Sequence, residues 1–483
     1  MTLADLFDAS LTGRRAAPAV EFAGRTHTFG DLDASASQLA HALTARGVRP
    51  GERVCFYLPN SVDFIALYLA VTRLGAIVVP MNILYRDREL RHIVSDADPA
   101  AVIAESAIAE RLPDVAPVWT LEDLRAAAAA QPHSRPRRFA DGDAPALIVY
   151  TSGTTGTPKG AVMTHSSLAV NAAALVTCWQ MTAADRLHLM LPLFHVHGLC
   201  VGVHCWLSSG CLLRLEARFE HQHAQGQMQA FAPTVFFGVP TMYVRMLGFD
   251  EDAAKAIGAA VRLFVSGSAP LSEQVWREFR SRFGHAILER YGMSEALMIA
   301  SNPYAGERRP GTVGVPLPGV SVRIVDDRGT AVPDGTPGEV AIRSASLFRE
   351  YWRNPPASAA AFQDGWFRTG DLGTRSTDGY LTLHGRRSDL IISGGFNIYP
   401  REIEDFLCEQ PGVAEAAVVG VPDALRGEVP VAYVVVAAGW DAERTAAACR
   451  EHLASFKVPR RFVAVARLPR TALGKVQKHA LPK

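Results

Sequence analysis

The sequence lacks the features that mark secreted, membrane-spanning or nucleic-acid-binding proteins. Its seven cysteines in 483 residues are too few and too scattered for a disulfide framework. It contains no run of about 18 apolar residues, the length that a membrane-spanning helix needs. Neither sign of charge dominates, because 49 lysines and arginines accompany 48 aspartates and glutamates, so no nucleic-acid or membrane partner is expected. The first residues, MTLADLFDAS, lack the order of a secretory signal, and we expect a cytoplasmic protein.

The order of the apolar segments predicts an α/β fold. Apolar residues make up 48% of the chain and charged residues 20%, a normal composition for a globular protein with a large core. Strand-like runs at 53–58, 77–80 and 146–150 alternate with segments of helical spacing. This alternation predicts parallel-rich sheets with helices on both faces. The alanine-rich segment 126–130 and the polar residues after it indicate a linker or an exposed loop.

The second half of the chain predicts two further units. Residues 319–383 are rich in strand-like runs separated by turns, which predicts a small β-barrel-like subdomain. The polar run GRRSD at 385–389 is a candidate hinge, and strand-like and helix-like patterns alternate after it. We therefore predict a large domain at 1–384, a hinge at 385–389 and a small, mobile α+β domain at 390–483.

The strongest local signal is the segment 150–160, YTSGTTGTPKG, which follows a predicted buried strand. Its glycines let backbone N–H groups approach an anion, its hydroxyl groups donate further hydrogen bonds, and Lys159 adds a positive charge. Such a loop suits a polyphosphate. The Gly-Lys-Ser/Thr order of the Walker loop is absent.

This loop resembles the phosphate loop of the acyl-adenylate-forming superfamily, which includes acyl-CoA ligases, carrier-linked adenylation domains and luciferases. The resemblance extends over essentially the whole chain, because further motifs of the superfamily occur in the same order. These motifs are Val265–Leu271 (VSGSAPL), Glu289–Glu295 (ERYGMSE), Arg368–Asp371 (RTGD), Gly385-Arg386, Gly394–Ile403 (GGFNIYPREI) and Leu468–Lys475 (LPRTALGK).

The resemblance implies a ligase that uses ATP, Mg²⁺ and coenzyme A. A carboxylate would attack the α-phosphorus of ATP and expel pyrophosphate, and because both partners are anions the site needs cations. The implied phosphate ligands are Thr151, Ser152, Gly153, Thr154, Thr155 and Lys159, with Glu295 and Thr151 as the catalytic pair that holds Mg²⁺. Ser294 would add a further hydroxyl group to the phosphate ligands. The implied adenine and ribose ligands are Gly267, Ser268, Ala269, Pro270, Glu289, Arg290, Tyr291, Gly292, Met293, Asp371 and Arg386.

The C-terminal motif implies a catalytic lysine on a moving lid. Lys475 matches the superfamily's lysine that bridges the incoming carboxylate and the α-phosphate. Ser388 occupies the position of the pivot residue, which is commonly Asp or Lys in relatives. The resemblance implies that the lid rotates after adenylation, and that the loop of Gly394 and Gly395 then replaces Lys475 and helps to line the path of the CoA thiol.

Two arginines point to a substrate with a second carboxylate. Arg245 and Arg290 lie in segments that wall the acyl pocket in the superfamily, and an apolar acid would leave a buried guanidinium unpaired. These stretches resemble those of malonyl-CoA synthetases, which also activate methylmalonate. The resemblance places the distal carboxylate on Arg245, Arg290, His197 (or His195) and Ser266 or Ser268, with Val196 and Met298 near the C2 substituent.

Several alternatives remain open at the level of the sequence. Arg245 could form a surface ion pair while Arg290 only packs near the nucleotide, and the substrate would then be an aryl or medium-chain acid. The acceptor could be a carrier protein instead of CoA. The stretch 195–205 holds five His and Cys residues that could bind a structural metal, although their spacing fits no usual zinc site and we favour a buried strand and helix. We expect a monomer or a small homo-oligomer.

Overall fold

Two mostly parallel sheets form the centre of the N-terminal part of the chain. The computed structural model describes residues 1–137, 141–151, 158–393, 396–423, 426–471 and 474–482. The nine strands of the first sheet, in spatial order, are Val315–Pro316, Leu297–Ser301, Leu288–Met293, Leu263–Ser266, Val235–Gly238, Arg186–Leu189, Leu212–Leu215, Pro18–Phe22 and Arg25–Thr28. The seven strands of the second are Glu350–Tyr351, Lys159–Thr164, Pro145–Thr151, Ile77–Pro80, Arg53–Tyr57, Ala101–Ala104 and Val118–Thr120.

Helices cover both sheets, as the alternation of segments predicts. The strands Ile77–Pro80 and Ala101–Ala104 are buried at every position, which is typical of parallel strands covered on both faces. The helices of this part are Leu3–Leu11, Phe29–Ala45, Val62–Arg73, Asp87–Ala97, Ser106–Ala109, Leu121–Ala129, His165–Cys178, His204–Ser209, His221–Phe231, Pro240–Met246, Glu251–Ala260 and Glu273–Phe283, with a π-helical segment at His197–Val203. In the part of the chain that the structure describes, no helix is both long and apolar enough to cross a membrane.

The prediction of a linker at 126–130 is wrong for most of that segment. The helix Leu121–Ala129 includes four of its five alanines. Alanine has the highest intrinsic helix propensity, and the Thr120 side chain caps the helix by accepting a hydrogen bond from the N–H of Asp123 at 3.1 Å. The segment therefore continues the α/β pattern.

Two smaller sheets complete the fold. An antiparallel sheet consists of Val320–Val325, Gly338–Ser344, Trp366–Arg375, Phe362–Gln363 and Leu381–Arg386, with the helix Pro355–Ala360 beside it. A single 3₁₀ turn, Arg387–Asp389, leads from it into the last unit. That unit contains the strands Phe396–Ile398, Ile391–Ser393, Gly427–Val436, Val413–Asp423 and Arg461–Ala464, the helices Pro400–Cys408 and Ala442–His452, and the 3₁₀ turn Lys478–Ala480. Its sheet has an apolar core of its own.

Candidate active site

The motif residues gather where strands of the two large sheets end. Thr151 closes one strand of the seven-stranded sheet, and Ser266 closes one strand of the nine-stranded sheet. The next strand of that sheet, Leu288–Met293, carries Arg290 and Tyr291. Because ligands of open α/β sheets bind outside the carboxyl ends of the strands, this cleft is the candidate site.

Glu295 is a buried carboxylate held by two hydroxyl groups. Thr151 Oγ1 donates to its Oε1 at 3.3 Å, and the Tyr351 hydroxyl donates to the same oxygen at 3.0 Å. Nζ of Lys159 lies 5.2 Å from the centre of the Tyr351 ring. Carboxylate and hydroxyl oxygens are ligands that suit Mg²⁺ when phosphates supply the others. The predicted ligands Ser152, Gly153, Thr154 and Thr155 lie outside the described residues.

Asp371 is the centre of a second polar group. The Tyr291 hydroxyl donates to its Oδ2, and Arg386 Nε lies 2.9 Å from its Oδ1. Burial and the Asp371 carboxylate raise the pKa of Tyr291 well above its usual value, so the phenol stays protonated and keeps donating. The structure therefore joins three of the residues predicted for adenine and ribose through the Asp371 carboxylate.

Glu339, which belongs to none of the motifs, connects this group to the predicted hinge. Its buried carboxylate accepts hydrogen bonds from the N–H of Gly370 at 3.1 Å and from Arg368 at 2.5 Å. Arg387, on the 3₁₀ turn, donates to the same carboxylate at 3.1 Å and pairs with Asp327 at 2.8 Å. One side chain thus holds both the turn before Asp371 and the residue before Ser388.

Lys475 reaches this cleft from the C-terminal unit. Its side chain is accessible to solvent, but desolvation in the cleft and the nearby Arg386 lower its pKa, while Asp371 and Glu295 oppose that shift. The neighbouring Gly474 closes against the helix Pro240–Met246, because a Cβ at Gly474 would come within 2.9 Å of the Thr241 side chain. Two further predicted residues, Gly394 and Gly395, lie outside the described residues.

The remaining residues predicted to bind the nucleotide lie in the turn Gly267–Pro270 and in the segment 289–294. Ser268 adopts a left-handed backbone (φ 70°) at the turn Gly267–Pro270. Glu289 is buried and turned away from Arg290, since its Oε1 accepts a hydrogen bond from the N–H of Leu271 at 3.2 Å. Burial raises the pKa of Glu289 to about 7. The half-buried residues Gly292, Met293 and Ser294 lead from this strand to Glu295.

Arg290 is a buried guanidinium without an acidic partner among the described residues. Its side chain is 4% exposed, and its Nε and one terminal nitrogen make no hydrogen bond there. Ser266 Oγ and His197 Nε2 are also buried and unbonded within the described residues. His197 Nδ1 lies 3.1 Å from Ser268 Oγ. Burial lowers the pKa of Arg290 to about 9, so the side chain is cationic at neutral pH.

The two histidines of this cluster are neutral. Burial and the Arg290 charge lower the pKa of His195 to about 3, and they lower the pKa of His197 well below its usual value. His197 opens the π-helical segment His197–Val203, in which the N–H of Val201 bonds to the carbonyl of Val196 at 3.0 Å. Such π-helical turns are frequent at functional sites. The cluster therefore carries one positive charge, that of Arg290.

Arg245 lies outside this buried cluster. The helix Pro240–Met246 buries Met242, Tyr243 and Met246, which turns Arg245 toward solvent. No ion pair joins Arg245 to another described residue. It shares a helix face with Thr241, one turn earlier, which the Gly474 loop approaches.

The residues predicted near the C2 substituent, Val196 and Met298, are both buried. Met298 packs directly on Gly292, where a Cβ would come within 2.5 Å of its terminal carbon. Asn171 fixes the strand at this point by donating to the Met298 carbonyl at 2.9 Å. The Met298 side chain is therefore held in place at the position where we expect the pocket wall.

The His and Cys residues of 195–205 do not converge on one point. Within the described residues, no three His, Cys, Asp or Glu side chains are arranged to hold a metal ion. His204 instead lies 2.8 Å from the Tyr68 hydroxyl. Burial raises the pKa of Cys200 and Cys205, so both remain thiols.

Comparisons with known proteins agree with the resemblance of the motifs. The family model described as AMP-binding enzyme matches residues 7–352, and that of the AMP-binding enzyme C-terminal domain matches residues 402–475. A sulfoacetate–CoA ligase of Cupriavidus necator is 38% identical over 94% of this chain and 92% of its own length. A malonate–CoA ligase of Arabidopsis thaliana is 33% identical over 96% of this chain and 86% of its own length. ATP-bound MatB from Rhodopseudomonas palustris is 39% identical, with a TM-score of 0.94 over 99% of this chain and 98% of that one, whereas the apo form has a TM-score of 0.84.

Proposed function

The chain belongs to the AMP-binding enzyme family, and on that premise we propose that this acid–CoA ligase activates a short acid with a second anionic group, with malonate as its substrate. The products would be malonyl-CoA, AMP and pyrophosphate, formed through malonyl-AMP. Methylmalonate differs by one methyl group at C2, where Met298 and Val196 line the proposed pocket. The names of two malonate–CoA ligases among the relatives support this choice.

The observation that carries the proposal is the buried, unpaired Arg290. Keeping a charge in the interior without a counter-ion costs several kcal/mol, and no described acidic side chain pairs with it. A distal carboxylate would pair with the guanidinium and also accept a hydrogen bond from Ser266. His197 can donate from Nε2 when its Nδ1 accepts from Ser268. A fatty or aryl acid would leave the Arg290 guanidinium, Ser266 Oγ and His197 Nε2 without partners.

Arg245 is proposed as a second cation at the mouth of the pocket. Its guanidinium has no ion pair with a described residue, and it lies one helical turn after Thr241, beside the loop that carries Lys475. The side chain therefore stays free to approach an anion that enters the cleft. This contribution should be smaller than that of Arg290, because solvent screens an exposed charge.

Sulfoacetate is a second candidate substrate, favoured by the 38% identical sulfoacetate–CoA ligase. The sulfur of a sulfonate is tetrahedral and carries three oxygens, whereas the carbon of a carboxylate is planar and carries two. The unbonded groups of Arg290, Ser266 and His197 supply enough donors for either shape. The charge of Arg290 alone does not separate the two acids, but a direct comparison of rates does.

The proposed roles of the other residues follow from the motifs to which they belong. Thr151, Lys159 and the residues Ser152, Gly153, Thr154 and Thr155 would bind the phosphates of ATP. Glu295 and Thr151 would hold Mg²⁺, which supplies charge neutralisation at the phosphates. Asp371 and Arg386 would bind the ribose, and Tyr291 and the turn Gly267–Pro270 would contact adenine.

The proposed lid is the segment 390–483, joined to the large domain 1–384 by the hinge 385–389. Lys475 would lie between the carboxylate and the α-phosphate during adenylation. The higher TM-score with ATP-bound MatB than with its apo form supports this orientation of the lid. Rotation about Ser388 would then withdraw Lys475 and bring Gly394 and Gly395 to the site for attack by CoA.

An acid panel tests the proposal. Pyrophosphate exchange without CoA should be faster with malonate, methylmalonate or sulfoacetate than with hexanoate or benzoate. Free CoA should then be a better acceptor than a phosphopantetheinyl carrier protein. Preferential activation of hexanoate or benzoate would contradict the role given to Arg290 while leaving the two-step chemistry intact.

A further inference from the structure

Tyr351, which lies outside the motifs, contacts two groups of the proposed phosphate site. Its hydroxyl donates to Glu295 Oε1 at 3.0 Å, and its ring faces Nζ of Lys159 at 5.2 Å. We propose that Tyr351 is a positioning residue that orients Glu295 toward a divalent cation and holds Lys159 toward the phosphates. This inference rests on the proposed function, because it assigns a role at the same ATP site.

The hydroxyl of Tyr351 determines which oxygen of Glu295 is available. Tyr351 and Thr151 both donate to Oε1, at 3.0 and 3.3 Å. Oε2 receives no hydrogen bond from a described residue and is therefore the oxygen that a cation would bind. Hydrogen bonds from neighbouring residues commonly orient metal-binding carboxylates, and their loss weakens metal binding about 10- to 100-fold.

The ring of Tyr351 acts on Lys159. A lysine ammonium on a flexible four-carbon stem has many accessible positions, and an aromatic face within about 6 Å attracts it. The half-buried ring of Tyr351 thus restricts the ammonium to the side of the cleft where Glu295 lies. Tyr351 thus contacts Glu295 through its hydroxyl and Lys159 through the face of its ring.

The backbone around Tyr351 is itself fixed to both partners. The short strand Glu350–Tyr351 pairs with Lys159–Thr164, with Tyr351 opposite Ala161. The N–H of Trp352 donates to the Gly160 carbonyl at 2.7 Å, and the N–H of Phe348 donates to the Glu295 carbonyl at 2.7 Å. The segment therefore bridges the strand that begins at Lys159 and the turn that contains Glu295.

Two substitutions distinguish the role of the Tyr351 hydroxyl from the role of its ring. Tyr351→Phe removes only the hydroxyl, and Tyr351→Leu removes the hydroxyl and the ring. Tyr380→Phe is the matched control, because its hydroxyl donates to the Glu307 carbonyl on the exposed surface. Binding of Mn²⁺ to the full-length protein with α,β-methylene-ATP is measured by electron paramagnetic resonance, and metal-free nucleotide binding by calorimetry.

We expect Tyr351→Phe to weaken Mn²⁺ binding about tenfold while metal-free nucleotide binding stays unchanged. Tyr351→Leu should additionally weaken metal-free binding about threefold, through Lys159, and Tyr380→Phe should match the wild type in both. Unchanged Mn²⁺ binding by Tyr351→Phe would overturn the inference, as would an equal loss of Mn²⁺ and metal-free nucleotide binding. Failure of the wild type to bind the Mn²⁺–nucleotide complex would overturn the proposed function as well.

Discussion

The guanidinium of Arg290 occupies the space that a side chain at Gly267 would need. A Cβ at Gly267 would lie 2.4 Å from Cζ and 2.5 Å from Nε of Arg290, well inside van der Waals contact. Gly267 lies between Ser266 and Ser268, and Arg290 is on the neighbouring strand segment. The absence of a side chain at Gly267 therefore allows the Arg290 guanidinium to pack against the Gly267 backbone.

Gly267→Ala should displace the guanidinium of Arg290. The KM for malonate should then rise about tenfold or more, because one charge-assisted hydrogen bond is lost. Gly226→Ala is the control, since Gly226 lies within the helix His221–Phe231 and a Cβ there meets nothing within 4 Å. The control should leave KM unchanged and make unfolding slightly less favourable, because alanine favours the helix. Equal KM values in steady-state kinetics for Gly267→Ala and the wild type would contradict the packing relationship.

Arg245→Ala should raise the KM for malonate by a smaller factor, about twofold to fivefold. Exposed charges contribute up to about 1 kcal/mol because water and salt screen them. The effect should also shrink as salt is added, which a buried group would not show. A salt-independent loss would indicate that Arg245 enters the buried cluster.

The raised pKa of Glu289 predicts that the free energy of unfolding depends on pH. The pKa of this buried carboxyl is raised from 4.5 to about 7, so the folded protein keeps a proton that the unfolded chain loses above pH 4.5. Stability due to this group therefore falls as pH rises from about 4.5 to about 7, and is constant above pH 7. The difference in thermal midpoint, Glu289→Gln minus wild type, should therefore increase by a few degrees from pH 5 to pH 8. A difference between the two proteins that is constant with pH would contradict the assignment.

Arg387 has two acidic partners, the buried Glu339 and the exposed Asp327, whose substitutions can be compared. Glu339→Gln should destabilise the protein by about 3 kcal/mol, because it leaves the half-buried Arg368 without its buried counter-charge. It should also raise the KM for ATP through the turn before Asp371. Asp327→Asn removes an exposed partner of the same arginine and should cost less than about 1 kcal/mol. Thermal unfolding and ATP kinetics compare the two, and equal effects would contradict the role of Glu339.

The sequence predicts the parallel strands well, because their residues are apolar on both faces. The run Ile77–Pro80 is buried throughout, and the observed strand has the predicted bounds. The alanine run at 126–130 predicts a linker, whereas the structure has a helix at Leu121–Ala129, because alanine is compatible with both. The class of fold was therefore predictable, whereas the ends of individual elements depended on caps such as Thr120.

The site was predictable only where a motif carries it. Thr151 and Glu295 belong to two motifs, and the structure brings their side chains together. Tyr351 and Glu339 act through other residues, 56 and 31 positions away in the chain, and a single aromatic or acidic residue gives no sequence signal of such contacts. The outward position of Arg245 depends on which face of its helix packs against the sheet, which one arginine does not reveal.

The most direct test of the account is the acid specificity of Arg290→Met, which keeps an unbranched apolar stem and removes the charged guanidinium. Pyrophosphate exchange with malonate and with butyrate, an acid without the second carboxylate, is compared in the variant and the wild type. We predict that kcat/KM for malonate falls at least about a hundredfold, as two charge-assisted hydrogen bonds are lost, while the value for butyrate does not fall. An equal loss for both acids, or an unchanged rate with malonate, would contradict the claim that Arg290 binds the far end of a diacid.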